Sequence, residues 1–272
     1  GYASLRYNTT GNNNTANGYQ SLYNNTTGVN NVANGYQSLY ANTTGGFNTA
    51  TGLQSLRSNT TGGNNVANGL QSLYNNTTGG NNTASGVESL YSNTTGGSNT
   101  ANGFQSLRYN TTGNNNAANG YQSLRSNTTS SNNAANGVQS LYSNTINGNN
   151  TANGFQSLFY NATGASNVAA GAYSGKFISG GASNTITNNS IYIGYDTKAL
   201  ANNQTNQIVI GYAATGLGSN TVMLGNSSIV KTALMGNVGI GTTSPGAKLE
   251  VVGGHFWLNG RIRIYEGTDE CF

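Results

Sequence analysis

Charged residues are scarce in this chain. Only 6 % of its 272 residues are Lys, Arg, Asp or Glu, against about a quarter in ordinary globular domains. The net charge of +4 is spread thinly, without a basic cluster, so we do not expect nucleic-acid binding through neutralised phosphates. The sequence also lacks an apolar run of the length that a membrane-spanning helix needs, and we expect no membrane insertion.

Cysteine, histidine and proline occur once each. Cys271 cannot form an intrachain disulfide, and is either a free thiol or half of an interchain bridge. Nothing near His255 resembles a catalytic triad, and no His or Cys spacing suits a metal ion. Calcium-binding β-rolls need repeated Asp residues, yet the first Asp of this chain is Asp196. We therefore predict no enzymatic activity, no cofactor and no metal.

What the chain has in abundance is a repeat. A glycine returns every 17 residues without a slip in register from Gly1 to Gly171, and the unit reads roughly N-G-Y-Q-S-L-Y-x-N-T-T-G-x-x-N-x-A. Such a period is typical of solenoids, in which each unit packs mainly on its neighbours. We number each unit from its glycine as position 0, and call each unit a layer.

Several positions of the unit do not vary. Position 4 is Leu, position 15 is Ala, position 3 is Ser and position 13 is Asn in all ten complete units. We interpret the Gly and Leu positions as a structural ladder. Its residues in five successive layers are Gly18, Leu22, Gly35, Leu39, Gly52, Leu56, Gly69, Leu73, Gly86 and Leu90.

Turn residues interrupt the unit too often for a helix. An N-T-T-G block and a second Asn-rich stretch leave segments of about six residues, which suit short strands. The sequence thus predicts an all-β, parallel β-solenoid (β-roll) of 17-residue coils. Positions 1 and 4 would lie on opposite faces of a regular strand. One apolar face then needs a second burial surface, which favours a homo-oligomer.

Position 5 supplies a candidate surface stripe. Functionally, it could bind glycans; alternatively its rings and guanidinium groups stack on each other or fill a groove between chains. Its members are Arg6, Tyr23, Tyr40, Arg57, Tyr74, Tyr91, Arg108, Arg125, Tyr142 and Phe159.

The N-T-T block also allows two interpretations. Asn-x-Thr is the acceptor sequence for N-glycosylation in some secreted proteins, whereas the same residues form hydrogen-bonded turns. We favour turns, and we hold open that regular Thr pairs form an ice-binding face. The acceptor asparagines are Asn8, Asn25, Asn42, Asn59, Asn76, Asn93, Asn110, Asn127 and Asn161.

After Gly171 the rhythm loosens into blocks such as N-Q-I-V-I-G and N-T-V-M-L-G. The stretch NQIVIGYAATGLGSNTVMLGNSSIV, residues 206–230, resembles the head repeats of YadA-like trimeric adhesins, although those repeats have a shorter spacing than 17 residues. The upstream unit is similar to arrays of phage-type tail fibres. GNVGIGTTSPGAKLEV, residues 236–251, is similar to the connector that precedes endosialidase-type intramolecular chaperones, but only eighteen residues follow residue 254.

These resemblances imply a homotrimeric fibre. We expect a shaft over residues 1–171, a YadA-head-like irregular β-roll over 172–235, and a connector and tail over 236–272. The implied function is a structural fibre at a virion surface or outside the cell that presents multivalent binding sites to a glycan or protein receptor. A cell-anchored bacterial trimeric adhesin and a monomeric ice- or glycan-binding solenoid are the alternatives.

Overall fold

The computed structural model describes residues 1–253 and, beyond them, the backbone of 264–266 and 269–271. Its secondary structure is β-strand and turn, and the described residues include no helix. The contacts divide the chain into two units, Gly1–Ser227 and Ser228–Phe272. The side chain of Cys271 and the whole of His255 lie outside the described residues.

The larger unit is a parallel β-solenoid, as predicted. Thirteen strands form one parallel sheet, and most of its strands are paired in register 17 residues apart. At about 4.8 Å per layer, the sheet is roughly 58 Å long. Its strands are β1 Thr15–Asn17, β2 Val32–Asn34, β3 Thr49–Thr51, β4 Val66–Asn68, β5 Thr83–Ser85, β6 Thr100–Asn102, β7 Ala117–Asn119, β8 Ala134–Asn136, β9 Thr151–Asn153, β10 Val168–Ala170, β12 Ile191–Ile193, β14 Gln207–Ile210 and β15 Thr221–Leu224.

The other described strands lie outside this sheet. Thr187–Asn188 (β11) pairs in parallel with Gln204–Thr205 (β13) beside it. In the smaller unit, Val238–Ile240 (β16) pairs in parallel with Leu249–Val251 (β17), within the connector-like sequence. Ile264–Glu266 (β18) pairs antiparallel with Asp269–Cys271 (β19).

Each layer of the array has a single strand of three residues, at positions 14 to 16. The G-Y-Q-S-L-Y segment is a run of turns rather than the six-residue strand that its length suggests. Gln71 and Leu73 adopt left-handed φ values of 53° and 50°, and the same two positions do so in the other layers. Hydrogen bonds to the next layer, such as Leu73 N–H to the Ser89 carbonyl at 3.0 Å, hold this backbone in place.

The core is one file of leucines and one of alanines. Leu73 and Ala84, like their counterparts from Leu22 to Ala169, are fully buried. Leu5 and Ala16, in the first layer, are only partly buried because they have a neighbouring layer on one side only. The expected separation of positions 1 and 4 is seen, but it arises from the turns and not from the alternation of a strand.

The glycine at position 0 of each layer is required by close approach of the chain to itself. A Cβ built on Gly69 would lie 2.6 Å from the carbonyl oxygen of Gly86, and the φ of Gly69 is +139°. Any side chain would therefore push adjacent layers apart and also strain the backbone. This explains why position 0 is glycine throughout the array.

A size exchange marks the end of the regular array. Position 4 of the layer that begins at Gly171 is Gly175 instead of Leu, and Tyr192 replaces the Ala that would pair with Ala169. A Cβ on Gly175 would lie 2.9 Å from Leu158 and from Tyr192. The buried ring of Tyr192 thus fills the space that a leucine side chain occupies in the other layers. The Tyr192 hydroxyl forms a hydrogen bond with Thr187 Oγ1 at 2.8 Å.

Candidate functional site

The asparagines of the N-T-T block form a buried ladder at position 7. The Asn76 amide nitrogen donates to Asn59 Oδ1 at 2.8 Å and to the carbonyl of Gly79 at 2.9 Å. Asn76 Oδ1 in turn accepts from the Asn93 amide at 2.7 Å. Both amide hydrogens and the oxygen are therefore used within the solenoid.

This geometry bears directly on the glycosylation alternative. A glycan on the side-chain nitrogen would remove one of these hydrogen bonds and would have to leave a layer in which the nitrogen is buried. The turn interpretation therefore describes the folded array. The fully buried acceptors are Asn25, Asn42, Asn59, Asn76, Asn93, Asn110, Asn127 and Asn161; Asn8, in the first layer, is partly exposed.

A second asparagine ladder lies at position 13. Asn65 donates both its backbone N–H and its side-chain amide to Asn48 Oδ1, at 3.0 and 3.1 Å. Its amide also reaches the Gly79 carbonyl at 2.9 Å, the same oxygen that Asn76 uses. Buried polar groups need such partners, and the two ladders together supply them in every layer.

The two threonines of the N-T-T block have different roles. Thr77 donates its hydroxyl to the carbonyl of Thr94 in the next layer at 3.0 Å. Thr78 is exposed and makes no side-chain hydrogen bond. Only one of the two Thr rows therefore offers free hydroxyls to solvent, which weakens the hypothesis that Thr pairs form an ice-binding face.

The position 5 residues do form one continuous, half-buried stripe. Tyr74 and Tyr91 stack with ring centroids 5.2 Å apart and an interplanar angle of 6°. Arg57 lies between rings, with its guanidinium carbon 5.3 Å from the centroid of Tyr40 and 5.7 Å from that of Tyr74. Neighbouring residues of the stripe cover the flat faces of these rings and guanidinium groups. Their edges are therefore the part that is exposed to solvent.

A glutamine ladder at position 2 runs beside the stripe, and the sequence reasoning missed it. Gln54 donates to Gln37 Oε1 at 3.3 Å, and Arg57 donates its Nε to the same oxygen at 3.2 Å. Glu88 replaces glutamine in one layer and pairs with Arg108 at 2.7 Å. Burial opposes ionisation of Glu88, but hydrogen bonds from Arg108 and Gln105 outweigh it, so the pKa of this carboxyl lies below its ordinary value.

Lys176 is an eleventh member of the stripe that the sequence analysis did not include. It stands at position 5 from Gly171, and counting on in the register would have found it. Its ammonium group donates to Gln156 Oε1 at 2.6 Å, and the residue is only 8 % exposed. Desolvation by the surrounding rings lowers the pKa of Lys176, although Asp196 opposes this. The ring centroids within 5.6 Å of the nitrogen are those of Phe159, Tyr160, Tyr173 and Phe177.

The side chains at position 1 form an apolar ladder that is exposed to solvent. It lies on the side of the G-Y-Q-S-L-Y turns that is opposite to the buried leucines. Leu53 and Leu70 are 46 % and 42 % exposed, respectively. The ladder continues in every layer of the array, and adjacent aromatic members stack, as Phe104 does on Tyr121. Its members are Tyr2, Tyr19, Tyr36, Leu53, Leu70, Val87, Phe104, Tyr121, Val138 and Phe155.

Two other kinds of site are absent from the described part of the chain. No group of three or more His, Cys, Asp or Glu side chains there could hold a metal ion. Nor does this part of the chain include a helix that is long and apolar enough to cross a bilayer. No family model matches the sequence, and a search of the curated proteins gives no match.

Proposed function

We propose that this chain forms the shaft of a homotrimeric fibre, such as a phage-type tail fibre or an extracellular filament, and presents multivalent receptor- or surface-binding sites. The observation that carries the proposal is the apolar ladder at position 1. Ten layers of Tyr, Leu, Val and Phe stand in one row, and each of these side chains is 36–77 % exposed. At about 4.8 Å per layer, that row is roughly 43 Å long.

An uncovered row of this kind is unusual for a soluble monomer. Monomers rarely expose contiguous apolar patches above a few hundred square ångströms, and larger patches mark interaction surfaces. Here the periodic surface favours an equally periodic partner, which is another copy of the same array. A closed ring of copies would bury each ladder against the next.

The proposed role is mechanical and non-catalytic. A parallel bundle of solenoids makes a stiff rod, and three copies of a weak contact on one rod bind a surface far more tightly than one copy does. A cell-surface glycan or a protein receptor is the proposed partner, and a virion surface or the extracellular space is the proposed location. The resemblance of residues 206–230 to adhesin head repeats supports the same assignment.

A matched pair of double variants tests the proposal. Leu53→Lys with Leu70→Lys places two charges on the apolar ladder, and Thr61→Lys with Thr78→Lys places two charges on an exposed row of the same two layers. Sedimentation velocity should give a trimer for the unsubstituted chain and for the threonine pair, and smaller species for the leucine pair. Circular dichroism checks that each variant stays folded. If the unsubstituted chain is monomeric, or if both pairs associate equally well, the proposal fails.

One observation favours a second candidate, an ice-binding solenoid. The outward residues of each strand form two rows on a regular parallel sheet, one rich in Thr and one rich in Asn, as in Thr83–Ser85 and Thr100–Asn102. Evenly spaced hydroxyl and amide groups on such a sheet can order water. A monomer that inhibits ice recrystallisation, and loses this inhibition on Thr100→Lys, would favour this candidate over the fibre.

A further inference from the structure

The cations of the first 190 residues lie on one ladder of the solenoid. Between residues 1 and 190 the chain has five Lys and Arg residues, and each stands at position 5 of its layer. The only acid in this range, Glu88, stands on the adjacent glutamine ladder and pairs with one of them. The other side chains in this range are uncharged, so this part of the solenoid has a single cationic edge. The five cations are Arg6, Arg57, Arg108, Arg125 and Lys176.

The spacing of the cations is wide and nearly regular. Arg6, Arg57 and Arg108 follow one another at intervals of three layers, and so do Arg125 and Lys176. With parallel strands about 4.8 Å apart, three layers span roughly 14 Å. Arg108 and Arg125, however, stand in adjacent layers, and Lys176 is only 8 % exposed. A linear partner that lay along this edge would therefore meet Arg6, Arg57 and the Arg108–Arg125 pair at intervals of three layers.

The orientation of the side chains decides which chemistry they can recognise. Arg125 is held between Tyr109 and Tyr142, with its guanidinium carbon 4.9 and 5.6 Å from the two ring centroids. The terminal nitrogens of Arg125 also donate to the hydroxyls of Tyr142 and Tyr109, at 2.9 and 3.4 Å, and each keeps a second N–H. Arg57 lies between the rings of Tyr40 and Tyr74, and only its Nε donates within the described chain. The terminal N–H groups of Arg57 therefore remain as donors at the edge of the stripe. A guanidinium fixed by rings on its faces is well arranged for a two-pronged bond to an oxyanion.

The same geometry argues against two other ligands. A neutral sugar that stacks on aromatic rings needs an open ring face, and the stacked rings of this stripe cover each other. Single-stranded nucleic acids also bind through base stacking on open faces, and a duplex has one charge about every 1.7 Å, far denser than this row. A polysaccharide that bears one acidic group per repeating unit fits both the sparse charges and the edge donors.

We propose that the position 5 stripe binds a linear anionic polysaccharide along the rod, through guanidinium edges that contact its carboxylate, sulfate or phosphate groups. This proposal rests on the fibre function above and names the class of its partner. Tyrosine hydroxyls beside the arginines, such as Tyr142, which accepts from Arg125 at 2.9 Å, continue the polar edge.

Binding to immobilised carboxymethyl dextran that carries about one carboxylate per 14 Å of chain, the span of three layers, with uncharged dextran of equal length as the reference, tests the proposal. Arg57→Gln with Arg125→Gln removes two stripe charges. Lys231→Gln with Lys248→Gln removes two charges from exposed sites of the smaller unit and is the matched control. We expect the full chain to bind the sparsely carboxymethylated dextran and not uncharged dextran. The arginine pair should bind it about tenfold more weakly, while the lysine pair binds normally. Arg57→Lys with Arg125→Lys keeps the charge but not the planar fork, and should bind at an intermediate level.

Three results would overturn the proposal. They are absence of binding by the unsubstituted chain, equal losses in the arginine and lysine pairs, and equally strong, arginine-dependent binding of single-stranded oligothymidylate. The mass of each sample is measured in parallel. A trimer that does not bind refutes the polysaccharide proposal alone, whereas a monomer refutes the fibre function on which it rests.

Discussion

The position 7 ladder makes a strong prediction for Asn76→Ala. The substitution leaves Asn59 Oδ1 and one N–H of Asn93 without a partner, because each of these atoms bonds only Asn76. The Gly79 carbonyl keeps its bond from Asn65. Each buried polar group left unpaired costs about 1–3 kcal/mol, so the substitution should lower the free energy of unfolding by about 2–6 kcal/mol.

The neighbouring residue is a matched control. Asn75 is half-buried and its side chain makes no hydrogen bond, so Asn75→Ala should change stability by no more than about 0.5 kcal/mol. In a solenoid the effect should stay close to the altered layer. Amide hydrogen exchange is therefore the assay, and protection should fall at amides such as that of Leu73, which donates to the next layer.

A second variant separates hydrogen bonding from packing. Asn76→Asp keeps the shape and the accepting oxygen but replaces the amide donor with a buried carboxylate. Burial raises the pKa of such a carboxyl group. The loss of stability should therefore be largest at neutral pH, where the group is ionised, and should be partly recovered in acid, where the protonated group can donate a hydrogen bond. Equal protection in Asn76→Ala and Asn75→Ala would refute the reasoning.

Gly69→Ala should lower the free energy of unfolding by about 2–6 kcal/mol, because the new methyl group would contact the next layer and the backbone would be strained. Gly180→Ala is the control: its Cβ would meet nothing within 4 Å, and it should lower the same free energy by about 1 kcal/mol. Equal losses in thermal or chemical unfolding would contradict the close-approach argument. Gly175→Leu and Tyr192→Ala should each lower the stability of the fold, the second by about 3–5 kcal/mol. The double variant should lose less stability than the sum of the two single losses, because the leucine would fill the space that the tyrosine leaves. Strict additivity would show that the two sites do not share one space. The pKa of Glu88 is depressed in the folded chain, so the carboxylate stabilises the fold above its unfolded pKa, and this stabilisation is lost as the pH falls through its folded pKa. Glu88→Gln should therefore weaken the dependence of the melting temperature on pH in that acid range. An unchanged dependence would contradict the assignment.

The repeat allowed much of the fold to be predicted, because identical layers must satisfy identical contacts. The burial of Leu73 and the close approach at Gly69 follow from such invariant positions. The turn conformation at Gln71 and Leu73 did not follow, since bulky residues rarely adopt left-handed φ values and only the hydrogen bonds between layers reveal why they do here.

The surface was less predictable than the core. The register alone identified the stripe, and it would have included Lys176 had the count continued past Gly171. The glutamine ladder and the covered ring faces depend on side-chain geometry that no spacing encodes. The exchange of size between Gly175 and Tyr192 likewise appears only when two layers are placed in contact.

We propose that three copies of this solenoid associate through the apolar ladder, and the mass of the unsubstituted chain in solution tests this association most directly. Sedimentation equilibrium or native mass spectrometry at micromolar concentration should give about 84 kDa, three times the 28.0 kDa of one chain. A mass of 28.0 kDa under the same conditions would contradict the claim.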